Sequence, residues 1–449
     1  MTQLEHRYAT RNVPRYTSYP TAPHFHAGID GEAYAGWLAG LDSSHDLSLY
    51  LHVPYCRQIC HYCGCNTKGA RKDAPVIAYA RTLLAEIDLV VKHLGKGRNV
   101  AHIHWGGGTP SLLPADSFLR IVKRLRGNFT FKESLEHAIE LDPRTVTEEL
   151  ADRLAAAGVN RASLGVQDFD AGVQMAIGRH QPFSVVERSV EALRKAGIDQ
   201  INFDLMYGLP HQTRETILHT VELTRLLSPG RVALFGYAHV PWMKKHQRLI
   251  DEAALPGAKA RIELADSARA ALLDAGYEAI GLDHFALADD SMAIALHDGT
   301  LRRNFQGYTT DTAGALIGFG SSSIGFLPQG YVQNAPDVGT WTRQVNSDRL
   351  PIAKGIALSS DDRARAEIIE RLMTVYEADI GAIARKHGLD FAGFAESFGQ
   401  IGEMVADGLA TTDGMRVHIS EAGRPYVRVA AATFDAYLAR GAARHSVAV

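Results

Sequence analysis

The sequence predicts an α/β protein: an incomplete (β/α)6 barrel with an extended N-terminal arm and a mainly helical, winged-helix-like C-terminal domain. Three observations predict it. Short apolar runs alternate with helical stretches six times between residues 47 and 275, the rhythm of a parallel sheet with crossover helices. Polar or glycine-rich positions recur where those runs end, at Cys56, Gly106, Glu140, Gln167, Asp204 and Tyr237, and in (β/α) barrels that rim carries the chemistry. The texture then changes near residues 358–362, where a Ser/Asp cluster reads as a helix N-cap. The expected divisions are 1–35, 36–357 and 358–449.

Composition sets the outer bounds. The chain has 449 residues, 46% hydrophobic and 22% charged, with a formal net charge of -3, as in ordinary globular proteins. No basic stripe argues for nucleic acid. No apolar run approaches the roughly 18 residues of a membrane span, and residues 1–15 lack the apolar region of a signal peptide. The expectation is a cytoplasmic, monomeric protein that binds neither membrane nor nucleic acid.

The elements follow in order. Pro14, Pro20 and Pro23 frame P-R-Y-T-S-Y-P-T-A; proline fixes φ and removes a donor, so residues 1–35 should form an extended arm and not a helix. Tyr16, Tyr19 and Phe25 favour an arm that docks. L-S-L-Y-L-H-V is a buried strand running into the cysteine loop, and 78–93 has helical spacing with Leu83, Leu84, Ile87 and Val91 on one side. V-A-H-I-H-W ends in Gly106-Gly107-Gly108-Thr109-Pro110, whose glycines lack dinucleotide-binding spacing. Further strands end at Glu140, Gln167, Asp204 and Tyr237, followed by helices at 146–157, 185–196, 214–227 and 259–275. Residues 283–285, 302–306 and the glycine-rich stretch 318–325 form a polar region that either closes the barrel mouth or is irregular loop. In the last division, 363–376, 380–387 and 391–404 read as helices, and 409–419 as a hairpin turning at Asp413-Gly414. Residues 360–449 carry 10 Lys and Arg against 13 Asp and Glu, a balance that disfavours phosphate binding.

All the chemistry points at residues 55–66, Y-C-R-Q-I-C-H-Y-C-G-C-N. Cys56, Cys60, Cys63 and Cys65 are the only cysteines of the chain. Cysteines that fill a core are scattered; clustered ones bind metal or do redox chemistry. In C-x3-C-x2-C, Cys56, Cys60 and Cys63 can each ligate one iron of a [4Fe-4S] cluster, leaving the fourth iron for S-adenosylmethionine, whose one-electron cleavage releases a 5′-deoxyadenosyl radical. The rival is a four-cysteine structural zinc site. The single glycine between Cys63 and Cys65 is tighter than zinc ligands usually stand, which favours the cluster.

The three-cysteine spacing with Tyr62 before the third cysteine resembles the signature of the radical S-adenosylmethionine superfamily. Together with Gly-Cys-Asn, the P-R-Y-T-S-Y-P-T arm, H-W-G-G-G-T-P (104–110), I-E-L-D-P-R (139–144), G-V-Q-D-F (165–169), D-L-M-Y-G-L-P (204–210), Y-A-H-V-P (237–241), D-H-F (283–285) and R-N-F-Q-G-Y-T-T (303–310), the chain resembles the oxygen-independent coproporphyrinogen III oxidases. The resemblance implies oxidative decarboxylation of two propionates of coproporphyrinogen III to vinyls, giving protoporphyrinogen IX. It also implies one cluster, two S-adenosylmethionine molecules, and an electron donor and acceptor that remain unidentified. It carries the cluster to Cys56, Cys60 and Cys63. Contacts to the first S-adenosylmethionine fall on Tyr50, Gly107, Glu140 and Ile324. Those to the second fall on Tyr62, Gly108, Thr109, Gln167, Arg179, Asp204 and Ala238. Catalytic candidates are Tyr50, Cys65 and Gln306, with Phe305 beside the last. Arg15, Arg302 and Arg303 are candidates for the substrate's carboxylates, while the variable W-M-K-K-H-Q stretch leaves Trp242 and Lys244 open. A haem chaperone of the same superfamily is the alternative; Cys65 and the P-R-Y-T-S-Y-P arm favour the enzyme.

Overall fold

A computed structural model describes residues 7–8 and 10–438. The chain divides into two compact units, one of Ala27–Gly276 with Ala313–Gly355, the other of Met1–His26, Tyr277–Thr312 and Ile356–Val449.

In the larger unit six strands follow one another across the sheet, all parallel: β1 (Leu47–Val53), β2 (Arg98–Gly107), β3 (Phe129–Leu141), β4 (Arg161–Gln167), β5 (Gln200–Tyr207) and β6 (Arg231–Gly236). On the other side of β1, β7 (Ala315–Phe319) pairs in parallel. The antiparallel β8 (Ile324–Leu327) and β9 (Gly330–Asn334) continue from it. The stretch 318–325 is therefore ordered sheet and turn. Gly318 makes this possible, because a Cβ there would stand 2.8 Å from the Ile324 carbonyl oxygen.

The first strand shows how far the sheet is covered. Six of the seven residues of β1 are buried. The helices are α1 (Gly31–Ala39), α2 (Ala74–Leu94), α3 (Ala115–Asn128), α4 (Glu148–Ala156), α5 (Ala171–Ala176), α6 (Phe183–Lys195), α7 (Arg214–Leu227), α8 (Ala258–Asp274) and α9 (Val338–Asn346). Their starts are written in side chains: Thr147, Asp170 and Thr213 each accept a backbone N–H of the first turn, Thr213 in a reciprocal capping box with Thr216. Gly158 and Gly197 follow α4 and α6 at φ +88° and +87°, the left-handed conformation that ends a helix without a Cβ penalty.

A buried polar network fixes the turn between β7 and β8. Glu86 of α2, 1% exposed, accepts from Gly320 N–H at 2.6 Å and Asn334 Nδ2 at 2.5 Å. Asn334 also donates to the Gly320 carbonyl (2.9 Å) and Ser323 Oγ (3.0 Å). One helical turn before Thr82, Tyr79 donates to the His52 carbonyl and accepts from Ser321 N–H. Desolvation pushes the Glu86 carboxyl up to about 7 despite these donors.

In the smaller unit the arm is docked. Tyr16, Tyr19 and Phe25 are buried; Tyr16 Oη donates to Asp435, Tyr19 Oη accepts from Ala436 N–H, and Arg428 donates to the carbonyls of Val13 and Pro14. The helix Ser360–Val375 begins with a Ser359–Asp362 capping box. Beyond it, Glu377–Asp379, Arg416–Ile419 and Ala410–Asp413 form a three-stranded antiparallel sheet.

Three details depart from the sequence reading. The extended arm ends sooner, since Ala22–His24 is a turn of 3-10 helix and α1 begins at Gly31, where Asp30 caps Glu32 and Ala33. The helix 391–404 is broken into Phe391–Phe394, Ala395–Gln400 and Gly402–Ala406, consistent with the low helix propensity of Gly393, Gly399 and Gly402. The α2 face also buries Thr82 and Glu86, which the apolar stripe does not reveal.

Asn334→Ala removes donors that a buried carboxylate and a buried carbonyl depend on. We expect a loss of about 3 kcal/mol in unfolding free energy, read by urea denaturation; a loss below roughly 1 kcal/mol would mean that the network is not structural.

Candidate active site

The site is built where β1 and β2 end. Pro54 stops β1, and the chain turns into the cysteine loop, which is closed at its base by the short parallel pair Tyr55–Cys56 and Lys68–Gly69. The glycine turn that ends β2 is laid against it: Gly108 N–H donates to the Val53 carbonyl at 2.9 Å and Thr109 N–H to the Tyr55 carbonyl at 2.8 Å. Only glycine allows that approach. A Cβ on Gly108 would lie 2.5 Å from the Tyr55 oxygen, and one on Gly107, at φ +108°, 2.4 Å from the His52 ring. The loop's far side is held by His61, whose N–H donates to the Ile177 carbonyl at 2.9 Å.

Cys60 is buried, Cys56 and Cys63 are half-buried, and Cys65 is exposed. Three sulfurs have donors close by. Thr109 Oγ1 donates to Cys56 Sγ at 3.5 Å, Arg179 Nη1 and Arg144 Nη2 to Cys60 Sγ at 3.4 and 3.7 Å, and Thr67 Oγ1 stands 4.0 Å from Cys63 Sγ. Donors aimed at sulfur favour thiolate, the ligating form. The adjacent Cys65 thiol holds Cys63 toward thiolate, and the Cys63 sulfur together with burial holds Cys65 toward thiol. Burial pushes the Cys56 thiol up to about 11, with Thr109 offsetting part of it. Among the described residues no three His, Cys, Asp or Glu side chains converge on one ion. The donor set fits a [4Fe-4S] cluster.

Carboxylates line the next strand ends. Burial pushes the Glu140 carboxyl up, but His104 Nε2 at 3.2 Å and Gly107 N–H at 3.0 Å more than offset this and hold it below its ordinary range. Asp204 differs: it has only the Ser163 hydroxyl, 3.3 Å from both oxygens, and burial with the Glu140 charge raises it to about 7. Two carboxyls in one place with separated proton affinities mark a working site. Tyr50 Oη lies 3.0 Å from His52 Nδ1, and its ring stacks on His104.

The remaining predicted residues of this unit lie on the same rim. Gln167 ends β4 at φ +67°, a conformation that costs a non-glycine residue energy and is found at functional sites. The Arg179 guanidinium donates to the Gly165 carbonyl at 2.7 Å and contacts Asp142, as well as reaching Cys60. Tyr62 packs against a core of Val173, Ile177, Leu209, Tyr237 and Ile250. Ala238 follows β6, and Ile324 opens β8. Phe305 and Gln306 belong to the other unit, in the turn between Arg302–Asn304 and Gly307–Thr309, where Gln306 N–H donates to Asn304 Oδ1. There too, the Arg303 guanidinium donates to the carbonyls of Arg15 and Tyr16 and lies over the Tyr308 ring, and Arg302 pairs with Glu370. His104, Asp142 and Arg144 fall in the motifs quoted from the sequence but were given no role there, and Ser163 was given none either. The alternation of β2 and β3 could have found the first, since His104 and Glu140 sit on adjacent parallel strands.

The cysteine loop and the strand ends around it lie inside residues 50–224, the stretch that matches the pattern of the radical SAM superfamily. That of the HemN C-terminal domain matches 358–426. The chain is 50% identical to the oxygen-independent coproporphyrinogen III oxidase of Bradyrhizobium diazoefficiens over 98% of both chains, and 44% identical to that of Paracoccus denitrificans over 97% of this chain and 96% of the relative. Its fold matches the structure of coproporphyrinogen III oxidase (HemN) from Escherichia coli with a TM-score of 0.91 at 36% identity, covering 94% of this chain and 98% of that one. The chain belongs to the family of oxygen-independent coproporphyrinogen III oxidases.

Gly108→Ala should separate the loop from the glycine turn. We expect anaerobic reconstitution to load well under half the wild-type iron while circular dichroism stays unchanged; full iron loading would show that the close approach is dispensable.

Proposed function

We propose that this chain removes the carboxyl groups of two propionates of coproporphyrinogen III, leaving vinyls and giving protoporphyrinogen IX. The observation that carries the reading is the near-full-length similarity to enzymes of that name, which spans the cysteine loop, every strand end and the C-terminal domain.

In this reading Cys56, Cys60 and Cys63 hold the [4Fe-4S] cluster. When bound, the cluster and S-adenosylmethionine supply the radical that takes hydrogen from a substrate propionate. The chain's own residues bind and orient. Glu140, kept ionised by His104 and Gly107, accepts from an amino group or ribose hydroxyl of the first S-adenosylmethionine, with Tyr50, Gly107 and Ile324 beside it. A second molecule is bounded by Tyr62, Gly108, Thr109, Gln167, Asp204 and Ala238. Arg179, already bonded to Asp142 and Gly165, offers fixed positive charge to its carboxylate. Cys65 serves the second half of the reaction or orders the loop, and Tyr50 and Gln306 are the other catalytic candidates. Arg15, Arg302 and Arg303 are the candidates for the substrate's carboxylates.

The reading includes an electron for each cleavage, delivered by a donor not yet identified. A separate donor and acceptor are required. We place the enzyme in the cytoplasm as a monomer without nucleic-acid or membrane partners; among the described residues no helix is long and apolar enough to cross a membrane.

The deciding assay is anaerobic incubation of the reconstituted protein with S-adenosylmethionine, reductant and coproporphyrinogen III. Vinyl-bearing product is expected. Deoxyadenosine without decarboxylation would favour the chaperone alternative. Asp204 adds a pH signature. Burial and the Glu140 charge push its carboxyl up to about 7, so the ionised, accepting form grows as pH rises through that range. Affinity for the second S-adenosylmethionine should tighten between pH 6 and 8, up to about tenfold per unit below the pKa. Asp204→Asn should abolish that dependence, and a pH-independent affinity in the unaltered protein would remove Asp204 from the site.

A further inference from the structure

The stretch after β6 is inside out. Trp242, Met243 and Leu249 are 62%, 70% and 65% exposed, while Gln247 between them is 0% exposed. A buried amide costs free energy unless bonded, and this one is fully engaged. Gln247 Oε1 accepts from Val240 N–H at 2.6 Å, and its Nε2 donates to the carbonyls of Tyr62 at 2.9 Å and Ala238 at 3.2 Å. Its neighbours reach the same loop. His246 Nε2 lies 2.6 Å from the Cys63 carbonyl oxygen, and Lys244 Nζ donates to the Cys65 carbonyl at 2.8 Å. Three side chains within four residues thus grip the carbonyls of Tyr62, Cys63 and Cys65. None of them was singled out for this by sequence pattern.

We propose that Lys244, His246 and Gln247 form a backbone clamp that sets the shape of the cysteine loop and the electrostatics of whatever its thiols hold. They are positioning residues. Gln247 ties Tyr62 to Ala238, two positions assigned above to the second S-adenosylmethionine, so one buried amide fixes the span between them. Lys244 adds a cation, and donors and charges around a cluster set its reduction potential. Positive charge favours the reduced, more negative form, so the clamp raises the potential. The part of this inference that concerns the cluster rests on the functional reading above; the grip on the loop does not.

The test uses the full-length protein. Without metal, hydrogen exchange reads the loop directly. Lys244→Ala and His246→Ala should speed exchange of amides 62–67 about fivefold per lost hydrogen bond, the equivalent of about 1 kcal/mol, with the sheet amides unchanged. His246→Gln, which keeps a donor, should restore protection. After anaerobic reconstitution, Lys244→Ala should lower the midpoint potential of the cluster and Lys244→Arg should return it. Gln247→Ala should also change the cluster's electron paramagnetic resonance signal in the presence of S-adenosylmethionine. Should Gln247→Ala fail to fold, the Lys244 and His246 variants, at half-exposed positions, still decide. Loop exchange at the wild-type rate in both alanine variants overturns the clamp, and so does an unshifted potential in Lys244→Ala. If the wild-type protein takes up no four-iron cluster, the functional reading fails, while the exchange result still judges the clamp.

Discussion

Two backbone hydrogen bonds, from Gly108 to Val53 and from Thr109 to Tyr55, join the ends of β1 and β2, and the site depends on them. Parallel strands end on the same side of a sheet, but their loops do not have to touch. Here they do, because a residue without a Cβ stands where any other would collide with backbone. This contact brings the Thr109 hydroxyl to Cys56 and the Gly107 N–H to Glu140. A thiol of the cysteine loop and a buried carboxylate are thereby placed by one turn.

Electrostatics then separates groups that look alike in sequence. Glu140 is the next-to-last residue of β3, and Asp204 lies within β5, three residues before its end. One has a histidine and a backbone donor and stays ionised; the other has a hydroxyl, lies in its neighbour's field, and titrates near neutrality. The same holds for the thiols, where donors from Thr109, Arg144 and Arg179 surround Cys56 and Cys60 while Cys65 remains exposed. Glycines and buried polar partners set these environments, and Glu86 and Asn334 extend that frame to the Ile324 turn.

The strand order, the cysteine loop and most helix spans were legible because they depend on local periodicity, caps and punctuation. Arg214–Leu227 starts at Thr213 and stops at Leu227 as its capping box and spacing dictate. What escaped shares another property. Glu86 and Asn334 carry no mark in the sequence pattern, and Gln247 falls in the variable W-M-K-K-H-Q stretch. Each is buried only because a partner distant in sequence needs its hydrogen bonds, and no periodicity encodes such a need. The broken helix 391–404 is the converse, a local signal in its glycines outweighed by an apolar pattern.

The central claim is that the loop holds a cluster by three thiols and leaves one iron open. Mössbauer spectra of the 57Fe-reconstituted protein, with and without S-adenosylmethionine, test it most directly. The account predicts four irons per chain, one of which changes its isomer shift when S-adenosylmethionine is added, with the same result in Cys65→Ser. Four irons that do not respond, or a cluster lost in Cys65→Ser, would contradict it.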